Sequence, residues 1–151
     1  MALSFMTGPD PSRRWQRVEA WMRHAAEDAR IAHACLHIVP PSRGGAAFHC
    51  QQAAEKLLKG FMVQAGVDFR KTHDLDTLSQ SVLPHAPSIE PLLNPIRAWT
   101  TWSVAWRYPG EAEPEPDPDV EELREALDLI TRLTEALRSR APPADESAGT
   151  E

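Results

Sequence analysis

At residues 48–60 the chain reads FHCQQAAEKLLKG, in which apolar residues recur at the three- and four-residue steps of an amphipathic helix. The pattern predicts a helix over residues 46–65, and Gly66 is well placed as its C-terminal stop. The apolar positions of this helix are Cys50, Ala54, Leu57, Leu58, Phe61, Met62 and Ala65. A neighbouring polar stripe contains Gln52, Lys56 and Lys59. The stretch therefore predicts a helix with an apolar face and a polar edge.

Helical patterns also precede and follow this stretch. A first helix is predicted from Pro11 to about His37, because two consecutive prolines then prevent its continuation. The string THDL, residues 72–75, is typical of the start of a helix, with Thr72 as the cap and Asp74 in the first turn. This third helix is short, since another proline follows it closely.

Two more helices are predicted in the second half of the chain. One begins around residues 88–92 and runs toward Arg107, with Pro95 inside its pattern. An extended acidic loop covers residues 109–118, and a last helix opens at Asp117-Pro118. The sequence therefore predicts an all-α fold, an up-and-down helical bundle of four long helices plus one short helix.

Length and composition fit one small domain. The chain has 151 residues, of which 42% are hydrophobic and 25% charged. We expect residues 1–140 to form the bundle and residues 141–151 to be a disordered tail, because proline, alanine and acidic residues dominate there. The sequence contains neither a dinucleotide-binding glycine motif nor a P-loop. Two cysteines, Cys35 and Cys50, fit neither a disulfide framework nor a zinc site.

Charge is distributed unevenly along the chain. The formal net charge is −6, but residues 1–107 sum to +3 (12 Lys and Arg against nine Asp and Glu) and residues 108–151 to −9 (four against 13). A weakly basic body is compatible with an anionic ligand, although it is not the strongly basic surface of a non-specific duplex binder. The sequence has no apolar run of the roughly 18 residues that a membrane span needs, and no signal-peptide pattern, so we expect a cytoplasmic protein with no membrane partner.

Three strings together resemble one known family. FHCQQAAEKLLKG at residues 48–60, THDL at residues 72–75 and WRYP at residues 106–109 are similar in order and separation to the HEPN domain family. The resemblance covers about residues 12–138 and includes the helix-1 pattern AEDA at residues 26–29. It implies a helical bundle that usually dimerises around a polar cleft.

The resemblance also implies a function. Many members are, or descend from, metal-independent endoribonucleases, and many others are encoded beside a minimal nucleotidyltransferase as the two halves of a toxin–antitoxin pair. We therefore expect no metal and no cofactor. Catalytic members carry an Arg-x4-6-His pair near the end of the helix that precedes the last one, and Arg107 occupies the place of the arginine.

The histidine of that pair is missing from this chain. No histidine follows Arg107, and the three Arg-x4-6-His spacings elsewhere are interpreted as chance. Metal-free RNA cleavage needs groups that accept and donate a proton near neutral pH, which histidine does and arginine does not. His73 is the candidate replacement, although it could equally be a helix-start residue that hydrogen-bonds locally. Whether the protein is an enzyme therefore stays open, because the pair is incomplete.

The other candidate contacts each have a second interpretation. Arg107 and Tyr108 could grip a phosphate and stack on a base, or form a surface ion pair and a packed phenol. Lys56 and Lys59 could contact phosphates or simply be solvated. Gln52 could recognise a base edge or cross-link helices. The tryptophans fit a core or interface better than a stacking surface, and no third ligand accompanies the His33 and His37 pair for a metal site.

Three functional hypotheses follow. The first is a HEPN-type nucleotide- or RNA-binding protein that works as a homodimer, with a nucleotidyltransferase partner in a toxin–antitoxin-like module. Its nucleotide contacts would be Arg107, Tyr108, Lys56, Lys59 and Gln52. The second is a metal-independent endoribonuclease with a divergent site, in which Arg107 and His73 are the catalytic residues. The third is a non-catalytic bundle that docks a partner protein.

Overall fold

The computed structural model describes residues 10–69, 71–102 and 116–144, and these residues contain helices, turns and no strand. The helices are α1 (Pro11–His37), α2 (Arg43–Ala65), α3 (Leu75–Val82), α4 (Glu90–Ile96) and α5 (Val120–Arg138). Single 3₁₀ turns cover Pro87–Ile89 and Arg97–Trp99, and residues 100–102 are helical. The all-α prediction is confirmed.

Helix α2 is the central element of the bundle. It packs most extensively on α1, with which it forms an antiparallel pair, and it also contacts α3 and α5. Its large side chains Leu57, Leu58 and Phe61 are almost fully buried. A helix that is apolar over most of its circumference belongs in the middle of a bundle, because each face then finds a neighbour.

One glycine within α2 and one at its C-terminal cap permit this arrangement. A Cβ atom at Gly60 would lie 2.8 Å from Cδ2 of Leu137, so the missing side chain permits the close approach of α5. Gly66 ends the helix as predicted, in a left-handed conformation with φ of 71°. Its N–H and that of Val67 donate to carbonyls of the last turn.

The fourth long helix that the sequence predicted is broken in the part the structure describes. Its first half consists of the turn Pro87–Ile89, the seven-residue α4 and the turn Arg97–Trp99. Proline supplies no N–H and its ring crowds the preceding turn, so Pro95 interrupts regular α-helical bonding. Trp99 lies in the core and stacks on Trp102 with a centroid separation of 5.0 Å.

Three helix starts differ from the predictions. Helix α2 begins at Arg43 rather than at residue 46. The cap of α3 is Asp74, whose carboxylate accepts from the N–H of Asp76, whereas Thr72 lies outside the helix and accepts from the N–H of Asp74. The last helix opens after Asp119 rather than at residues 117–118, because the Asp119 carboxylate accepts from the N–H of Glu122. No helix within the described ranges has both the length and the apolar character needed to cross a membrane.

Candidate functional site

A polar cluster lies along the edge of α2 that faces α1 and the residues before α3. Successive turns of α2 present glutamine, glutamate and lysine side chains at this edge, because residues three or four apart share a face of a helix. Helix α1 adds one carboxylate, and THDL adds one histidine. We call this set the α2 polar cluster. Its members are Asp28, His49, Gln51, Gln52, Glu55, Lys56, Lys59 and His73.

Glu55 is the centre of one half of the cluster. Its side chain is only 3% exposed, and its Oε1 atom accepts from Nζ of Lys59 at 3.0 Å and from Nδ1 of His73 at 2.6 Å. Its Oε2 atom accepts from Nε2 of Gln52 at 3.3 Å. A carboxylate taken out of water is costly unless it is paired and hydrogen-bonded, and these three donors meet that requirement.

Asp28 is the centre of the other half. Its side chain is 9% exposed, Oδ1 accepts from Nδ1 of His49 at 2.9 Å, and Oδ2 accepts from Nζ of Lys56. The two halves share one stretch of α2, since Glu55 and Lys56 are neighbours in sequence. Each half therefore pairs one buried carboxylate with one lysine and one histidine.

The two adjacent glutamines have different roles. Gln51 is fully buried and donates to the backbone carbonyl of His73 at 3.3 Å, so it connects α2 to the residues before α3. Gln52 donates to Oε1 of Gln51 at 2.7 Å as well as to Glu55. Gln52 thus makes its side-chain bonds within α2, and the cross-link between elements comes from Gln51 instead.

Capping of α3 holds His73 in place. Asp74 receives hydrogen bonds from the Thr77 hydroxyl at 2.8 Å and from the Asp76 N–H, and the Thr77 bond above all lowers the pKa of the Asp74 carboxyl. The N–H of Leu75 donates to the hydroxyl of Thr100 at 3.0 Å. These bonds fix the backbone on the C-terminal side of His73, and Gln51 fixes its own carbonyl.

The local role considered for His73 is not what its side chain does. Its ring bonds to Glu55, 18 residues earlier in the chain, and its side chain is 71% exposed. An ionised carboxylate only accepts hydrogen bonds, so Nδ1 of His73 is the donor in this contact, and Nε2 is the ring nitrogen left to face a ligand. The arrangement can therefore supply an oriented base at the surface.

The two lysines of the cluster are only partly available to a negatively charged ligand. Lys56 and Lys59 are each paired with a carboxylate, and their side chains are 27% and 13% exposed. An ammonium group has three donors, so each retains the capacity to hydrogen-bond a further acceptor. The charges of the two lysines and the two carboxylates of the cluster sum to zero.

The sequence-predicted site residues are only partly brought together. Gln52, Lys59 and His73 converge on Glu55, whereas Lys56 belongs to the half centred on Asp28. The other two predicted contacts, Arg107 and Tyr108, lie outside the described residues. Within residues 10–69, 71–102 and 116–144, no three His, Cys, Asp or Glu side chains are grouped as a metal site would require.

Sequence reasoning missed the two carboxylates and Gln51. A signal for them exists, because Asp28 lies at helical spacing from Ala25 and Ala32, and both alanines are buried. Glu55 and Gln51 are likewise four residues apart on the buried side of α2. A charged residue on an apolar face indicates a buried partner, and the partners here come from another helix and from THDL.

Comparisons with known proteins agree with this architecture. The HEPN domain family model matches residues 18–140. Among solved structures, the chain is similar to the crystal structure of TT1696 from Thermus thermophilus, with a TM-score of 0.68 and 24% sequence identity over 82% of this chain and 98% of that one. At this identity the likeness shows the fold alone. The search of curated proteins gave no match. Since the family model covers most of the chain, the protein belongs to the HEPN domain family.

Proposed function

We propose that this protein binds nucleotides or RNA as a homodimer and works beside a nucleotidyltransferase partner in a toxin–antitoxin-like module. The observation that carries the proposal is the convergence of Gln52, Lys59 and His73 on the buried carboxylate of Glu55. This convergence holds hydrogen-bond donors and an exposed imidazole at one polar edge. Arg107 would add a permanent positive charge for a phosphate, and Tyr108 a ring for a base.

Ligand binding is tested by titrating the purified protein with labelled AMP and a short labelled RNA. We expect a saturable signal that weakens with salt, because phosphate contacts release counterions. Arg107→Ala should abolish it. Arg124→Ala is the matched control, since Arg124 is an exposed α5 arginine whose ion pair at 3.7 Å is with its own helix. Equal binding by the wild type and Arg107→Ala would refute the proposal.

The partner is tested separately. We expect the neighbouring gene to encode a nucleotidyltransferase whose product co-purifies stoichiometrically after co-expression. A stoichiometric complex without any ligand binding by either the complex or the free protein would instead support the non-catalytic interaction bundle.

One observation favours a second candidate function, that of a metal-independent endoribonuclease. His73 has its Nδ1 held at 2.6 Å from a buried carboxylate and its ring exposed, which suits a base that accepts the proton of the attacking 2′-hydroxyl. The attack forms the cyclic phosphate and breaks the bond to the 5′-oxygen, which leaves with the proton that the His73 imidazolium returns. Arg107 would hold the phosphate and stabilise its developing charge.

Cleavage of RNA in EDTA distinguishes the two functions. For an endoribonuclease we expect cleavage that survives chelation and is lost in both Arg107→Ala and His73→Ala. His85→Ala is the control, because His85 is exposed and its side chain makes no contact with the cluster. No cleavage above a mock preparation would eliminate the enzyme and leave the binding function.

A further inference from the structure

A groove lies where the start of α1 packs against the end of α2, away from the Glu55 centre. Its lining includes Arg14, Arg17, Gly66, Asp68 and Phe69, and its volume is about 290 Å³. Small-molecule sites usually measure roughly 300–1,000 Å³, so this groove suits one phosphate or part of a nucleotide rather than a whole cofactor. We call it the arginine groove.

The arginine groove has an excess of positive charge. Neither Arg14 nor Arg17 forms an ion pair with any residue that the structure describes, and Asp68 is the one carboxylate in the lining. An adjoining cavity shares Arg14 and adds Arg140, whose guanidinium donates to Gln64 at 3.3 Å. Arg17 is exposed and thus available to an anion, and Arg14 lies half-buried beside it.

The negative end of α2 offsets only part of this charge. Gly66 and Val67 donate their N–H groups to carbonyls of the last turn, so two of the terminal carbonyls are already satisfied. The guanidinium carbon of Arg14 lies 3.4 Å from where a Cβ of Gly66 would be, which places the positive charge over the helix end. Arg14 offsets the dipole, and Arg17 is exposed beside it.

Aromatic rings connect the arginine groove to the α2 polar cluster. Phe69 of the groove meets Trp21 edge to face with a centroid separation of 6.0 Å, and Nζ of Lys59 lies 5.8 Å from each of the two rings. Trp21 also lines the next hollow along α1, together with His24 and Lys56. Two arginines, two aromatic rings and a lysine therefore follow one another from Arg14 to the cluster that contains Glu55.

This combination of cationic groups and aromatic rings on one surface matches the chemistry of single-stranded RNA. Cations track the phosphates while the bases stack on rings, which needs no particular sequence. Arg14 and Trp21 are seven residues apart, which is about 10 Å along the helix axis. At roughly 3.4 Å per stacked nucleotide, this distance accommodates about three nucleotides.

We propose that the strip from Arg14 and Arg17 across Phe69 and Trp21 to Lys59 binds single-stranded RNA and leads it into the α2 polar cluster. The proposal rests on the RNA-binding function proposed above and adds the path of the strand. A single nucleotide occupies the cluster alone, whereas a longer strand also reaches the arginine groove.

The test compares strand lengths by fluorescence anisotropy, with labelled diuridylate and labelled octauridylate as probes. The wild-type protein should bind octauridylate more tightly than diuridylate. Arg17→Gln should weaken the binding of octauridylate about fivefold and reduce the slope of log affinity against log salt by about 0.7. Its affinity for diuridylate should stay within about twofold of the wild-type value. Arg23→Gln is the matched control, because Arg23 is an exposed arginine of the same helix that lines neither hollow.

A second variant examines the ring. Phe69→Leu keeps an apolar side chain and should weaken octamer binding about fivefold with the salt slope unchanged. Its urea midpoint verifies that it is folded. Equal losses in Arg17→Gln and Arg23→Gln would refute the path, as would a folded Phe69→Leu with wild-type affinity, which is the result expected if an acidic protein segment occupies the groove.

The two proposals fail in different ways. If Arg107→Ala still binds diuridylate as tightly as the wild type does, the proposed function is wrong. If Arg17→Gln leaves octamer binding unchanged while Arg107→Ala abolishes it, only the path is wrong. No binding of either probe by the wild type would refute both.

Discussion

Nδ1 of His73 lies 2.6 Å from Oε1 of Glu55, and the carboxylate of this pair is buried while the imidazole is exposed. The pair joins the centre of α2 to the residues before α3. Because one partner is in the interior and the other at the surface, substitutions of the two should have different consequences for folding and for ligand binding.

Glu55→Gln should lower the free energy of unfolding by about 2–4 kcal/mol, because Lys59 and His73 would then face an uncharged amide in a buried position. Urea denaturation followed by circular dichroism measures the change. Glu135→Gln, an exposed position on α5, is the control and should stay within about 0.5 kcal/mol of the wild type. A Glu55→Gln protein as stable as this control would show that the carboxylate is not needed for folding.

The contact between Lys56 and Asp28 connects α2 to α1, and a double-mutant cycle with Lys56→Met and Asp28→Asn should give a coupling free energy of about 1–2 kcal/mol. The two side chains are 27% and 9% exposed, so solvent screens the pair only partly. The pair of Glu27 and Arg30 is the internal comparison, with side chains 55% and 77% exposed. Its coupling should be indistinguishable from zero. Equal coupling in both cycles would contradict the assignment of a partly buried ion pair.

Gly60→Ala should destabilise the protein by about 1–2 kcal/mol, although alanine is the better helix former. The new Cβ would lie 2.8 Å from Cδ2 of Leu137, a fully buried side chain, and overpacking then outweighs the helix-propensity gain of about 1 kcal/mol. Leu137→Val removes both Cδ atoms, so the double variant should be more stable than the sum of the single effects. Thermal and urea unfolding measure the set, and strict additivity would mean that the helices are not in contact at Gly60.

Burial, with a smaller contribution from Cys35, raises the pKa of the Cys50 thiol from 9.0 to about 12. A raised folded-state pKa means that the neutral thiol stabilises the native state fully below pH 9, and that this contribution is lost as the pH rises from 9 to 12. Between pH 8 and pH 10.5 the loss should be about 2 kcal/mol. The free energy of unfolding lost between pH 8 and pH 10.5 is measured for the wild type and for Cys50→Ala. Subtracting the second loss from the first removes the contribution of other titrating groups. An identical pH dependence in both proteins would refute it.

Much of the helical pattern could be predicted from the sequence, for a local reason. The apolar periodicity of α1, α2 and α5, the stop at Gly66 and the proline at the start of α1 act within one or two turns of the chain. Pro95 acts locally as well, because it lies inside the short α4, two residues before the 3₁₀ turn at Arg97–Trp99.

Helix caps were harder to predict, because neighbouring polar residues compete for them. Thr72 and Asp74 are both good caps, and the choice depends on where the backbone of α3 turns. That turn is held by the bond from Leu75 to the hydroxyl of Thr100, which lies 25 residues away. A cap chosen by a distant contact cannot be found by inspecting five consecutive residues.

The sequence alone determined the family, the class of fold and the polar character of α2. It could do so because periodicity, capping and the strings FHCQQAAEKLLKG and THDL are properties of short segments. The pairing of Glu55 with His73 and of Asp28 with Lys56 arose only from packing, because it joins residues 18 and 28 positions apart. A buried carboxylate pairs with the donors that lie close to it in the folded structure, and the separation of two residues along the chain does not determine whether they come close.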